Sequence, residues 1–158
     1  MEKIAVFPGS FDPFTTGHES IVRRALPLFD KIIVAIGINI NKKDFFPLDM
    51  RMQLIADVFK NDDKIFVDKY QCLTVEYCKK MEADYILRGV RTSSDFEYER
   101  AYGQVNKSLD PEVETIFLLT NPEHSFINSS IVRDIIRNGG DASSFLPSNI
   151  EINKYIKE

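Results

Sequence analysis

The sequence predicts an α/β domain built on a parallel sheet. Three observations carry this. Apolar strand-like runs alternate with stretches of helical periodicity along the chain. Lys31–Ile38 (KIIVAIGI) is one unbroken apolar run, as in a parallel strand covered on both faces. The residues with chemical character gather at the carboxyl ends of the expected strands, where parallel sheets carry their ligands.

Taken in order, Lys3–Phe7 reads as the first strand and Gly17–Phe29 as the first helix, with Ile21, Val22, Ala25 and Phe29 on one apolar stripe. Pro27 lies in that helix's last turn and should bend or end it. Lys31–Ile38 is strand two. Leu48–Phe59 follows as a helix, with Arg51 and Asp57 among its polar positions. Lys64–Asp68 is strand three, Leu73–Glu82 a helix, and Asp84–Leu87 strand four. Ser94–Leu109 is a helix opened by Ser93, Ser94 and Asp95, a capping cluster. Glu114–Thr120 is strand five. Ser129–Asn138 is a helix stopped by Gly139 and Gly140. Pro147–Lys157 is a last short helix. Repeated βα units of this kind predict a Rossmann-like five-stranded parallel sheet with helices on both faces.

The chain of 158 residues is long enough for one domain with its own core, expected to span residues 1–158. A net charge of −4 argues against sequence-independent nucleic-acid binding. No run approaches the length of a membrane helix, and no signal peptide fits the N-terminus. Cys72 and Cys78 lack zinc-finger spacing and are too few for a disulfide scaffold. They read as two part-buried thiols without a role, in a reduced cytoplasmic setting.

Four loops hold the candidate chemistry. Ser10–His18 follows strand one and contains Pro13 and Gly17, with Pro8 and Gly9 just before it. It places His18 at a helix N-terminus, where free N–H groups and the helix dipole favour a phosphate. A histidine there is also an ordinary capping residue; the loop before it and a second histidine in a facing loop favour function. Lys42 and Lys43 follow strand two. Arg88 and Arg91 flank Gly89 and Val90 after strand four, and a guanidinium fork matches phosphate oxygens. His124–Ser130 follows strand five and leads into a helix start with two serine hydroxyls. Asp95 and Glu97 read as first-turn acids that favour the helix dipole. Phe96, Tyr98 and Tyr102 read most simply as core or interface packing. The sequence has no G-x-G-x-x-G, no P-loop and no G-x-S-x-G elbow. Its two histidines make no zinc site by themselves.

Thr15-Thr16-Gly17-His18 resembles the T/H-x-G-H signature of the nucleotidylyltransferase superfamily. Asn128-Ser129-Ser130-Ile131-Val132-Arg133 resembles its second signature, of S-S-x-x-R type. Four further strings are similar to the bacterial phosphopantetheine adenylyltransferase family: Pro8–Pro13, Arg88–Arg91, Asp95–Glu99 and Phe145–Pro147. Ser10 stands where that family usually has threonine, and Asn128 where it often has serine.

The resemblance implies adenylyl transfer from ATP to 4′-phosphopantetheine, with Mg²⁺ on the pyrophosphate and a homohexameric assembly. It implies that His18 and Lys42 are catalytic. Ser10, Lys42, Thr74 and Arg88 would bind the acceptor. Ser10, Phe11, His18, Gly89, Val90, Arg91, Glu99, His124, Ser125, Phe126, Ile127, Asn128, Ser129 and Ser130 would bind ATP. No protein residue is expected to ligate a metal. The alternatives are a nucleotidylyltransferase with another acceptor, such as glycerol phosphate or nicotinamide mononucleotide, and a nucleotide-binding module without turnover.

Overall fold

The computed structural model describes residues 1–155. Strands β1 (Ile4–Gly9), β2 (Lys31–Gly37), β3 (Ile65–Tyr70), β4 (Tyr85–Val90) and β5 (Glu114–Leu119) form one sheet. Its order is β3-β2-β1-β4-β5, and every pair is parallel. The expected five-stranded parallel sheet is therefore present. The chain moves outward from β1 to β3, returns to lay β4 on the other side of β1, and continues to β5. The order reverses between β1 and β4, which opens a crevice beyond their carboxyl ends.

Both faces of the sheet are covered, because alternate residues of each strand point to opposite sides. Ala5, Phe7, Ile32, Val34, Ile36 and Leu87 pack under helices α1 (Thr16–Ala25) and α2 (Leu48–Val58). Val6, Ile33, Ala35 and Ile86 face Val75, Tyr77 and Cys78 of helix α3 (Thr74–Lys80). Helix α4 (Ser93–Leu109) lies over β5 on that second side, where Phe96 meets Phe117 edge-on at 5.6 Å. Helix α5 (Ser129–Arg137) has a smaller core of its own, with Val132 against Ala142 and Leu146.

Several boundaries differ from expectation. Helix α1 ends at Ala25, and Pro27 lies in a 3₁₀ turn, Leu26–Leu28; proline has no N–H to continue the α-helix. Strand β4 runs on through Arg88, Gly89 and Val90, because β5 pairs with it along its whole length. Helix α4 is capped by Thr92, whose hydroxyl accepts from Asp95 N, rather than by the serines. The last helix, expected over 147–157, is absent among the described residues. One 3₁₀ turn, Ile152–Lys154, stands there instead, after another at Ser143–Phe145, and residues 156 and 157 lie outside the described residues. Leu146 is anchored on α5, while Ile150 and Tyr155 are anchored on the α1–α2 core, and the chain follows these contacts.

Arg51, one of the polar positions of α2, is buried, and of the two thiols expected to be part-buried Cys78 is buried while Cys72 is exposed. Phe96, Tyr98 and Tyr102 are exposed on α4 and belong to no core.

Candidate active site

Two cavities open at the crevice between β1 and β4. The first, of about 340 Å³, lies among the β1 loop, the start of α1 and the start of α5. The second, of about 420 Å³, lies toward α3 and α4. Pro8, Gly9, Ser10, Arg88 and Glu99 border both, so these residues form the dividing wall.

His18 is the third residue of α1, and its orientation follows from the cap. Thr15 is the N-cap, buried, with its hydroxyl facing the His18 N–H at 3.5 Å. In return, the Thr15 N–H donates to His18 Nδ1 at 3.0 Å. An Nδ1 that accepts leaves the proton on Nε2, so the ring's remaining polar atom is a donor. Phe11 and Phe14 pack on the ring at 5.1 and 5.3 Å. Burial, followed by the Arg88 and Arg91 charges, lowers the His18 pKa to about 3. A neutral imidazole that donates through Nε2 suits an anionic oxygen.

Arg88 leaves β4 on the α4 side. Its Nε and Nη2 fork the Glu99 carboxylate, with the Nε bond at 2.7 Å, and its Nη1 donates to Pro8 O. Glu99 therefore sits on the wall between the cavities and holds Arg88 in place. Arg91 donates through Nε to Asp95 at 3.0 Å and through Nη1 to Ile127 O at 2.9 Å. Burial would raise the Asp95 pKa, but Arg91 more than offsets it and holds the carboxyl below its usual value. Asp95 is thus more than a first-turn acid: it orients a cation in the first cavity.

The strand after Arg88 must pass close to α1. A Cβ on Gly89 would lie 2.9 Å from Ile21 Cγ1, so only glycine lets the two elements approach at this spacing.

At α5, Asn128 is the N-cap and accepts from Ile131 N at 2.9 Å. The Ser129 hydroxyl donates to Pro13 O at 2.9 Å, and Arg133 Nη2 donates to Ser130 Oγ at 3.1 Å. Both hydroxyls thus tie down the site, and the free backbone N–H groups of the first turn are what remain for an anion.

Most of the expected residues meet in the first cavity: Ser10, Phe11, His18, Lys42, Arg88, Gly89, Arg91, Glu99, His124, Ile127, Asn128, Ser129 and Ser130 line it. Thr74 lines the second, where its hydroxyl bonds the Tyr70 hydroxyl at 3.0 Å. Three do not join either cavity. Val90 is buried beneath β4's end, and Ser125 and Phe126 are exposed on the loop before α5. Sequence reasoning gave no site role to Asp12, Thr15, Arg51 or Arg133, although Asp12, Thr15 and Arg133 stand in the motif strings. Thr15 was legible as an N-cap three residues before His18; the others depend on contacts between distant loops.

The fold and site together define a nucleotidylyltransferase: a cytidylyltransferase-like family model matches residues 6–135. The phosphopantetheine adenylyltransferase of Flavobacterium psychrophilum is 51% identical over 148 residues, covering 94% of this chain and 97% of the relative. That of Cytophaga hutchinsonii is 49% identical over 150 residues, covering 95% and 100%. The chain belongs to the phosphopantetheine adenylyltransferase family.

Among solved structures, a bifunctional NMN adenylyltransferase/ADP ribose pyrophosphatase from Francisella tularensis has the same fold. It aligns with a TM-score of 0.75 at 20% identity, covering 96% of this chain and 47% of that one, so this chain spans about half its length. A second structure of that protein, complexed with AMP and a Mn ion, aligns with a TM-score of 0.69 at 21% identity, covering 96% and 46%.

Proposed function

We propose how this chain performs the reaction of its family, transfer of the adenylyl group of ATP to 4′-phosphopantetheine to give dephospho-coenzyme A and pyrophosphate. ATP occupies the first cavity and the pantetheine arm the second. The acceptor phosphate lies at the wall between them and attacks the α-phosphorus in line. That phosphate is already anionic near neutral pH, so no general base or protein nucleophile is needed. The catalytic effect is positioning and charge stabilisation.

His18 donates through Nε2 to the α-phosphate as charge grows there. Lys42, exposed on the loop after β2 and bordering the first cavity, bridges the two reacting phosphates. Ser10 and Arg88 hold the acceptor phosphate, and Thr74 lines the arm. Arg91, His124 and the first turn of α5 hold ATP. The observation that carries this reading is the fixed tautomer of His18 at a helix N-terminus, beside the wall that both cavities share.

Among the described residues there is no group of three or more His, Cys, Asp or Glu side chains able to hold a metal ion. The three carboxylates that line the first cavity are engaged: Asp95 by Arg91, Glu99 by Arg88, and Asp12 by the backbone N–H groups of Phe45 and Phe46. A Mg²⁺ would therefore be held by triphosphate oxygens and water, where it offsets the charge of the leaving pyrophosphate. The exposed Tyr98, Tyr102, Val105 and Leu109 along α4 support self-association, and the family resemblance sets the number of copies at six. Cys72 and Cys78 form no disulfide among the described residues, which accords with a cytoplasmic setting. No helix among the described residues is long and apolar enough to cross a membrane.

The test is pyrophosphate release with ATP and 4′-phosphopantetheine, against glycerol phosphate and nicotinamide mononucleotide as acceptors. Release should require the pantetheine acceptor. Labelled ATP without acceptor should leave no label on the denatured protein; a stoichiometric adduct would sink the in-line scheme.

A further inference from the structure

Asp12 is buried, with only 3% of its surface exposed, and it faces none of the cations of the site directly. Its two carboxylate oxygens accept from consecutive backbone N–H groups, Phe45 N and Phe46 N, each at 2.8 Å. Those amides belong to the segment between β2 and α2, which carries Lys42. The same segment is gripped a second time. Arg51, 4% exposed, donates to Phe46 O at 3.0 Å, to the Asp44 carboxylate at 2.6 Å and to Ser10 O at 2.7 Å. Its three donor positions thus join the Lys42 segment to the β1 loop. From the other side, Arg133 Nη1 donates to Asp12 O at 2.7 Å. One buried frame therefore links α5, the β1 loop and the Lys42 segment.

We propose that Asp12 is a positioning residue, and that with Arg51 it sets the height of Lys42 over the acceptor phosphate. The inference rests on the reading of Lys42 as a catalytic cation. Lys42 itself is exposed, and no hydrogen bond or ion pair of its side chain holds it in the described structure. Its ammonium sits on a flexible stem, so its useful position depends on where the backbone beneath it is held. A carboxylate that accepts two adjacent amides does this for a loop without secondary structure. Arg51 fixes the far end, and each carboxylate oxygen of Asp12 and each guanidinium nitrogen of Arg51 has a partner within the protein. Asp12→Asn keeps the size but loses one acceptor, since its amide NH₂ would face an N–H.

The experiment is a double-mutant cycle with Lys42→Ala, read by steady-state kinetics with each substrate varied. Lys42→Ala by itself should lower kcat. Asp12→Asn should lower kcat by roughly 10-fold to 10²-fold, the scale of a misplaced reacting group, and leave the ATP KM close to that of the parent. In the Lys42→Ala background the same substitution should cost less than about twofold, because the group it positions is gone. Asp44→Asn, at the exposed end of the frame, is the second variant should Asp12→Asn fail to fold; its smaller loss should vanish in the same background. Losses that multiply in full with Lys42→Ala overturn the positioning role while leaving Lys42 catalytic. A Lys42→Ala enzyme with parental kcat overturns the reading of Lys42 and the inference with it.

Discussion

Burial and the guanidinium groups of Arg88 and Arg91 keep His18 neutral, and the Thr15 cap directs its proton to Nε2. His18→Ala should therefore lower kcat by roughly 10²–10³, as for one lost oxyanion donor, while ATP affinity by calorimetry changes much less. An equal fall in both would make His18 a ground-state ligand. The same burial has a thermodynamic consequence. The unfolded chain protonates this histidine at its ordinary 6.5, and the folded chain only near pH 3. The stability it contributes is complete above pH 6.5 and is lost as pH falls toward 3. Urea unfolding between pH 7 and 4 should show a steeper decline for the parent than for His18→Gln; parallel curves would contradict the depressed value. Arg88→Ala should chiefly raise the KM for 4′-phosphopantetheine, since its fork holds a bound phosphate in the ground state as well. It also strands Glu99, mostly buried, against an incoming anion, so Glu99→Gln should recover part of the loss. A KM effect confined to ATP would reverse the assignment of the two cavities.

At the scale of elements, the site depends on how closely α1 lies on β4. Gly89→Ala places a methyl 2.9 Å from Ile21 Cγ1 and 3.1 Å from its Cδ1. Overpacking of this kind costs about 1–3 kcal/mol, and any shift of α1 carries His18 with it. The variant should lose both thermal stability and kcat. Combined with Ile21→Ala, the two stability losses should be less than additive; full additivity in thermal melts would mean that the helix never felt the methyl. Strand β4 also explains a mistaken boundary. Arg88 and Gly89 look like loop residues, yet the ladder with β5 is built from backbone groups that ignore side-chain polarity, and Glu99 neutralises the arginine. The motif strings at the starts of α1 and α5 were legible because capping is local: Thr15 and Asn128 act within three residues.

For the molecule as a whole, the exposed face of α4 is the feature that a single chain leaves unexplained. Tyr98, Tyr102, Val105 and Leu109 are each more than half exposed on one helix, and a soluble surface rarely presents so much apolar area together. Sedimentation should give a mass six times that of the 18.2 kDa chain. A Tyr102→Asp, Val105→Asp variant should shift it toward smaller species if this face is an interface; an unchanged hexamer would place the contact elsewhere.

The sequence alone determined the alternation of strand and helix, the parallel sheet, and the clustering of His18, Lys42, Arg88 and Ser129 at strand ends. Each of these is written in periodicity, capping or a short motif, which are local properties of the chain. Only the tertiary structure decided that Arg88 and Glu99 form a wall between two cavities, that Asp95 orients Arg91, and that Asp12 and Arg51 grip the Lys42 segment. A buried charge is stable only when partners satisfy it, and the partners of Asp12 and Arg51 include backbone groups some 30 to 40 positions away in the chain. Backbone N–H and C=O groups look alike in every sequence, so folding alone reveals which of them meet.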